Sequence, residues 1–187
     1  MVKKKTCIFI SGQGSNLKNL IYHSRDKNFP IQISLVISNN KKANGINYAK
    51  KYKIPYIFID TKIKNYENKI LLNLKKYKIS FICLAGYMKI ISNKITNIFK
   101  KKIINIHPSL LPKFKGLNTF ERILKNKEIK TGCTVHYVND NLDDGEIIVK
   151  KSFYLSPNDN EKTLKQKTQL LEYKAYPEAI IKIFRNY

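Results

Sequence analysis

Asn105-Ile106-His107-Pro108-Ser109-Leu110-Leu111-Pro112 closes the apolar run Ile103 to Ile106, and its two prolines stop that run. The run reads as a short buried strand. Side chains at i and i+2 of a strand share a face, so Asn105 and His107 project together where the strand runs out. A hydrogen-bond donor and a proton carrier then occupy one small volume, and Pro108 and Pro112 stiffen the chain that follows. A strand end followed by a proline-rich loop, with His107 merely satisfied there, remains the alternative on this segment alone.

Working outward, further apolar runs stand at Cys7 to Ile10, Ile31 to Ser38, Tyr56 to Ile59 and Ser80 to Leu84. They alternate with helical patterns near Leu17 to Ser24, Gly45 to Tyr52, Tyr66 to Tyr77 and Asn93 to Phe99. Such alternation predicts an α/β fold, a mostly parallel central sheet flanked by helices. Cys133 to Val138 and Glu146 to Phe153 read as strands that extend the sheet, and a closing helix is expected from about Asn160 to Phe184. No repeat or low-complexity linker divides the chain, so residues 1–187 are expected to form a single domain. Sites in open α/β sheets gather at strand ends, which is where Asn105 and His107 stand.

Gly132 to Gly145, Gly-Cys-Thr-Val-His-Tyr-Val-Asn-Asp-Asn-Leu-Asp-Asp-Gly, alternates like a strand through Val138 and then enters an acidic loop closed by glycine. Asp143 is the candidate partner of His107, because a carboxylate beside an imidazole orients the ring and favours its protonated form. An ordinary solvated acidic turn is the alternative for Asp-Asp-Gly. His136 falls in the same segment, whereas His23, near the end of the first helix, reads as a surface or capping residue.

At the amino terminus, Ser11-Gly12-Gln13-Gly14-Ser15-Asn16 joins the first strand to a helix from Leu17. Backbone N–H groups of a glycine-rich turn at a helix N-terminus form an anion site. A tight turn with a Ser or Asn cap is the competing reading.

The first two segments together resemble the formyltransferase family that uses 10-formyltetrahydrofolate. Its Asn-x-His-Pro-Ser-Leu-Leu-Pro block stands at Asn105 to Pro112, and its Gly-x-Thr-Val-His-aromatic-Val block with the following Leu-Asp-x-Gly at Gly132 to Gly145. The resemblance runs from the Ile8 strand to about Pro177. It implies a Rossmann-like formyltransferase fold with Asn105, His107 and Asp143 as the catalytic trio. The branch that formylates glycinamide ribonucleotide in purine synthesis carries a Gly-Ser-Asn triplet that holds the substrate phosphate, matched here by Gly14, Ser15 and Asn16. Leu84 to Ile91 is similar to the family loop that lines the pteridine pocket, which places Met88, Lys89, Ile90 and Ile91 at the cofactor together with Asn105. Lys89 stands where the family has Arg, keeping the charge and losing the planar fork. A basic folate contact expected before the Tyr66 helix aligns with Ile63, between Lys62 and Lys64, and stays unassigned. Gln169 and Glu172 match positions that bind the sugar and glycinamide portion of the ribonucleotide, with a solvated helix face as the alternative.

The resemblance implies direct acyl transfer. The glycinamide amine attacks the formyl carbon, Asn105 and protonated His107 stabilise the oxygen as it becomes negative, and Asp143 keeps His107 charged and helps remove the amine proton. Ser109 is not expected to act as a nucleophile. Two relatives in the family are less well matched. Methionyl-tRNA formyltransferase normally carries a further C-terminal domain, and formyltetrahydrofolate deformylase an extra N-terminal one; neither is expected here.

Lys+Arg 36 against Asp+Glu 13 gives a formal charge of +23, which raises a basic nucleic-acid-binding module as a third reading. The lysines are spread over Lys50 to Lys53, Lys75 to Lys78 and Lys100 to Lys102 without a zinc-finger, ribonucleoprotein or helix-turn-helix signature, so no specific nucleic acid is expected as partner. The basic surface suits on-rate steering of phosphorylated and polyglutamylated small molecules, weakened by salt. Cys7, Cys83 and Cys133 each lie in or beside an apolar run, as reduced buried thiols of a cytoplasmic protein would. No Cys/His spacing suggests a metal, and no segment reaches membrane-spanning length. A monomer or homodimer is expected.

Overall fold

The computed structural model describes residues 2–185. The described elements run β1 (Lys4–Ile10), α1 (Ser15–Ser24), β2 (Ile31–Ser38), α2 (Gly45–Lys51), β3 (Tyr56–Phe58), α3 (Tyr66–Lys76), β4 (Phe81–Leu84), α4 (Asn93–Ile98), β5 (Ile103–His107), α5 (Thr119–Lys125), β6 (Lys130–Tyr137), β7 (Ile147–Tyr154) and α6 (Glu161–Arg185). The strands form a seven-stranded sheet in the order β3-β2-β1-β4-β5-β6-β7. By the density of its internal packing the chain divides into two compact units, Met1–Ile104 and Asn105–Tyr187.

In the first unit β1 pairs in parallel with β2 and with β4, and β2 in parallel with β3. Cys7, Ile8, Phe9 and Ile10 are fully buried. A parallel strand covered on both faces reads as an unbroken apolar run, which is why the sequence betrays it. The strand begins three residues before the expected Cys7. Lys4 and Lys5 pair with Ile31 and Gln32 while their side chains stay exposed, so their charge hides a backbone ladder that is already formed.

In the second unit β6 and β7 are antiparallel. A Cβ on Gly132 would fall 1.8 Å from the Lys151 carbonyl oxygen, so this close approach of the two strands requires glycine. Helix α6 buries Leu164, Thr168, Ala175, Tyr176, Ala179 and Ile180, and it starts from a reciprocal cap. Asn160 Oδ1 accepts from Thr163 N at 3.1 Å, and Thr163 Oγ1 accepts from Asn160 N at 2.9 Å. Helix α5, absent from the sequence reading, buries only Thr119 and Ile123 in its seven residues, too few for a 3.6-residue period to register.

Candidate active site

Strand β5 carries Asn105 and His107 to its C-terminal end, and both side chains meet the carboxylate of Asp143. Asp143 Oδ2 lies 3.2 Å from His107 Nδ1 and accepts from Gly116 N at 2.9 Å. Oδ1 accepts from Asn105 Nδ2 at 3.3 Å and lies 3.6 Å from His136 Nε2. One carboxylate therefore ties together β5, β6 and the two loops at 114–118 and 138–146, all within the second unit. The backbone that delivers it is unusual, because Asp143 has a φ of 48°, in the left-handed region.

Proton positions follow from the partners. The His107 Nε2–H donates to the Phe114 carbonyl at 2.8 Å, and the His136 Nδ1–H donates to the Tyr137 carbonyl at 2.8 Å. His136 Nε2 is then an acceptor, and Asn105 Nδ2 sits 3.3 Å from it. Both amide hydrogens of Asn105 thus point inward, one to Asp143 and one to His136. Turning the amide over would set its oxygen against a carboxylate and a ring lone pair. Sequence reasoning gave His136 no role, although it is only 2% exposed. Its signal was an inward-facing histidine one β-period after the buried Thr134.

Burial is the largest influence on His107 and pushes it below the ordinary imidazole value; Asp143 and the Phe114 carbonyl pull it up without overcoming burial. The ring is only 5% exposed, which is why desolvation outweighs the carboxylate beside it. Acceptors nonetheless face both ring nitrogens. A neutral ring donates to only one of them, and uptake of a proton completes the second hydrogen bond. Asp143 is pushed up by burial, but the His136 ring beside it, the hydrogen bond from Gly116 N and the neighbouring His107 ring outweigh that and hold it below the usual carboxylate range. Ser109 is fully buried, and its hydroxyl donates to the Lys113 carbonyl at 2.7 Å, a structural use of that side chain.

In the first unit Gly14 has a φ of 73° and forms the left-handed N-cap of α1, ahead of Ser15 and the buried Asn16. Its Cα packs against Gly45, whose N–H donates to the Gly12 carbonyl at 3.0 Å. A Cβ on Gly14 would come within 2.4 Å of Gly45 Cα. Gly14→Ala is therefore expected to cost about 1–3 kcal/mol in a denaturant titration. Ser11 ties the turn to the loop after β4, since its Oγ accepts from Met88 N at 2.8 Å and donates to Asn39 Oδ1 at 2.6 Å. Met88, Lys89 and Ile90 on that loop are exposed and Ile91 is buried, while Lys62, Ile63 and Lys64 are all exposed.

On α6, Gln169 and Glu172 are half-buried and one turn apart. Burial, reinforced by the Glu172 carboxylate, raises the Cys133 thiol to about 12. Cys7, Cys83 and Cys133 are buried free thiols. Among the described residues no group of three His, Cys, Asp or Glu could hold a metal ion, and no helix is long and apolar enough to cross a membrane.

The family model described as Formyl transferase matches residues 4–180. The chain is 39% identical over 184 residues to the phosphoribosylglycinamide formyltransferase of Haemophilus influenzae, covering 95% of this chain and 85% of that one. It is also 39% identical over 182 residues to the human trifunctional purine biosynthetic protein adenosine-3; there it covers 95% of this chain but spans only 18% of the human protein's length. The crystal structure of phosphoribosylglycinamide formyltransferase from Bacillus halodurans superposes with a TM-score of 0.92 at 33% identity, covering 96% of this chain and 95% of that one. That from Brucella melitensis does so with a TM-score of 0.92 at 35% identity, covering 98% and 96%. With a family match over nearly all of the chain, and with the Asn105, His107 and Asp143 side chains gathered on one carboxylate, the chain belongs to the formyl transferase family.

Proposed function

We propose that this protein transfers the formyl group of 10-formyltetrahydrofolate to the amine of glycinamide ribonucleotide, giving formylglycinamide ribonucleotide in purine biosynthesis. The observation that carries the reading is the Asp143 carboxylate, which engages His107 and Asn105 at the end of β5. The family match and the named relatives support the acceptor.

In this reading the amine nitrogen attacks the formyl carbon, a C–N bond forms, and the carbonyl electron pair moves to the formyl oxygen. Asn105 and His107 stabilise that oxygen. The Asn105 amide hydrogens are held at 3.3 Å, longer than the usual 2.9–3.0 Å of an N–H···O bond, so a charged oxygen draws one of them away at small cost. His107 gains its second hydrogen bond only as an imidazolium, so negative charge on the substrate favours its protonation. Asp143 supports that cation and, through water, accepts the proton shed by the amine. Collapse of the intermediate breaks the bond to the folate nitrogen, which leaves with a proton.

Gly14, Ser15 and Asn16 take the substrate phosphate on N–H groups at the start of α1. Gln169 and Glu172 take the sugar and glycinamide portion. Met88, Lys89, Ile90, Ile91 and Asn105 line the folate side. The three side chains come from one chain, and we read the protein as a monomer or a homodimer. We read residues 1–187 as one functional domain, and the buried thiols fit a reducing cytoplasmic setting. The reaction asks for no metal.

The test is formyl transfer from 10-formyltetrahydrofolate by the purified chain, with glycinamide ribonucleotide as acceptor beside water-only and methionyl-tRNA controls. Turnover that depends on the ribonucleotide is expected. Turnover with only water or tRNA would overturn the acceptor, and no turnover from a folded sample would overturn the reaction.

A further inference from the structure

We infer that Arg122 of α5 is a positioning residue for this reaction, gripping the 114–118 turn so that two of its backbone groups hold His107 and Asp143 in place. The inference deepens the formyl-transfer reading and rests on it for its kinetic consequences.

The turn is backbone-strained. Phe114, Gly116 and Asn118 have φ values of 59°, 80° and 54°. Only the glycine adopts such a value freely, and each non-glycine residue held there costs about 1–3 kcal/mol when the surroundings enforce it. For a bulky aromatic such as Phe114 the conformation is an outlier that something must hold.

Arg122 supplies that hold at three points of the turn. Its Nη1 donates to the Lys115 carbonyl at 2.6 Å and to the Leu117 carbonyl at 3.4 Å, and its guanidinium lies 5.6 Å from the centre of the Phe114 ring. Each contact adjoins a group that touches the trio. The two carbonyls bracket Gly116, whose N–H donates to Asp143 Oδ2 at 2.9 Å. The stacked ring belongs to the residue whose carbonyl accepts from His107 Nε2 at 2.8 Å. Thr119 Oγ1 on Gly116 O at 3.1 Å and the Lys115–Asp144 ion pair restrain the same turn, but neither reaches Phe114. One guanidinium nitrogen donates to both carbonyls while the planar group meets the Phe114 ring, an arrangement an ammonium reproduces only in part.

The electrostatics agree. Burial has the largest effect on the His107 ring and lowers its pKa; Asp143 and the Phe114 carbonyl raise it, and His136 and Arg122 lower it. Arg122 therefore acts on His107 both through the turn and through its charge, and two substitutions separate these effects. Arg122→Lys keeps the charge and loses the fork and the stack. Arg122→Met loses all three.

The experiment is NMR titration of His107 in the full chain labelled at histidine, together with steady-state formyl transfer, for wild type and both variants. In both variants kcat is expected to fall about tenfold, less than the roughly 10²-fold that a full ångström of misplacement can cost, with the KM for the ribonucleotide changed less than about twofold. With the charge kept and the grip on Phe114 lost, the His107 pKa should fall in Arg122→Lys, and it should lie higher in Arg122→Met than in Arg122→Lys because the lowering charge is gone as well. A role in stability alone would lower the melting temperature and leave the titration and kcat of folded protein untouched. Wild-type kcat in both folded variants, or one and the same His107 pKa in wild type and both variants, overturns the inference. Should wild type itself transfer no formyl group, the functional reading fails, and the titration still decides whether Arg122 governs His107.

Discussion

Asp143→Asn is expected to lower kcat by about 10²–10⁴-fold, the range for loss of a positioned acid–base group, while ribonucleotide affinity in calorimetry stays within about threefold. The size of the effect follows from the number of roles converging on one carboxylate. Its Oδ2 sits 3.2 Å from His107 Nδ1, and its Oδ1 accepts from the Asn105 amide. The neutral isostere cannot support an imidazolium, and its NH₂ group must face either the His107 ring or an inward-pointing amide hydrogen of Asn105. His107, already lowered by burial, should fall further once the charge that raises it is gone.

The pH dependence of stability has a definite sign. Asp143 is depressed in the folded chain, so the stability it contributes is present above the ordinary carboxyl value of 3.8 and lost as pH falls through the folded value. His107 is depressed as well, so below 6.5 the unfolded chain takes up a proton that the folded chain resists, and stability again falls with acid. Thermal midpoints should therefore drop on acidification in wild type and drop less in Asp143→Asn below about pH 5, where the carboxylate contribution disappears. Identical acid limbs in the two proteins would contradict the depressed carboxyl.

His107→Asn should lower kcat by about 10²–10³-fold, as loss of one oxyanion donor does, with the ribonucleotide KM nearly unchanged. Asparagine reaches less far than imidazole and cannot take up the proton that completes the second hydrogen bond. Because His107 and Asp143 act as a unit, the double variant should be scarcely slower than the worse single one. Additive losses would mean that the two side chains work independently and that the contact between them has no catalytic consequence.

The chemistry of the site was legible because Asn105 and His107 stand on a strand and Asp143 in a loop whose composition sets it apart. The Ile103–Ile106 run marked β5, period-two spacing put Asn105 and His107 on one face, and an acidic Gly-terminated loop offered Asp143. What stayed hidden lies in loops and in short elements. Phe114 and Gly116 touch the trio through backbone groups, and a carbonyl or an amide is the same in every residue, so nothing in the sequence marks them. Arg122 was hidden for a second reason. Its helix has only seven residues, and an arginine in a lysine-rich chain looks like one more surface charge until its fork is seen on two carbonyls.

The sequence by itself determined the alternation of strands and helices, the buried strand β5, the pairing of Asn105 with His107 and the family to which the chain belongs. These follow from local periodicity and ordered motifs, which require no knowledge of distant contacts. Tertiary structure alone shows that His136 anchors the Asn105 amide, that the 114–118 turn supports the trio through its backbone, and that burial draws the His107 pKa below the ordinary imidazole value. Each depends on groups from separate segments meeting in a place where water is scarce. Burial is a property of the folded chain, and no local pattern encodes it.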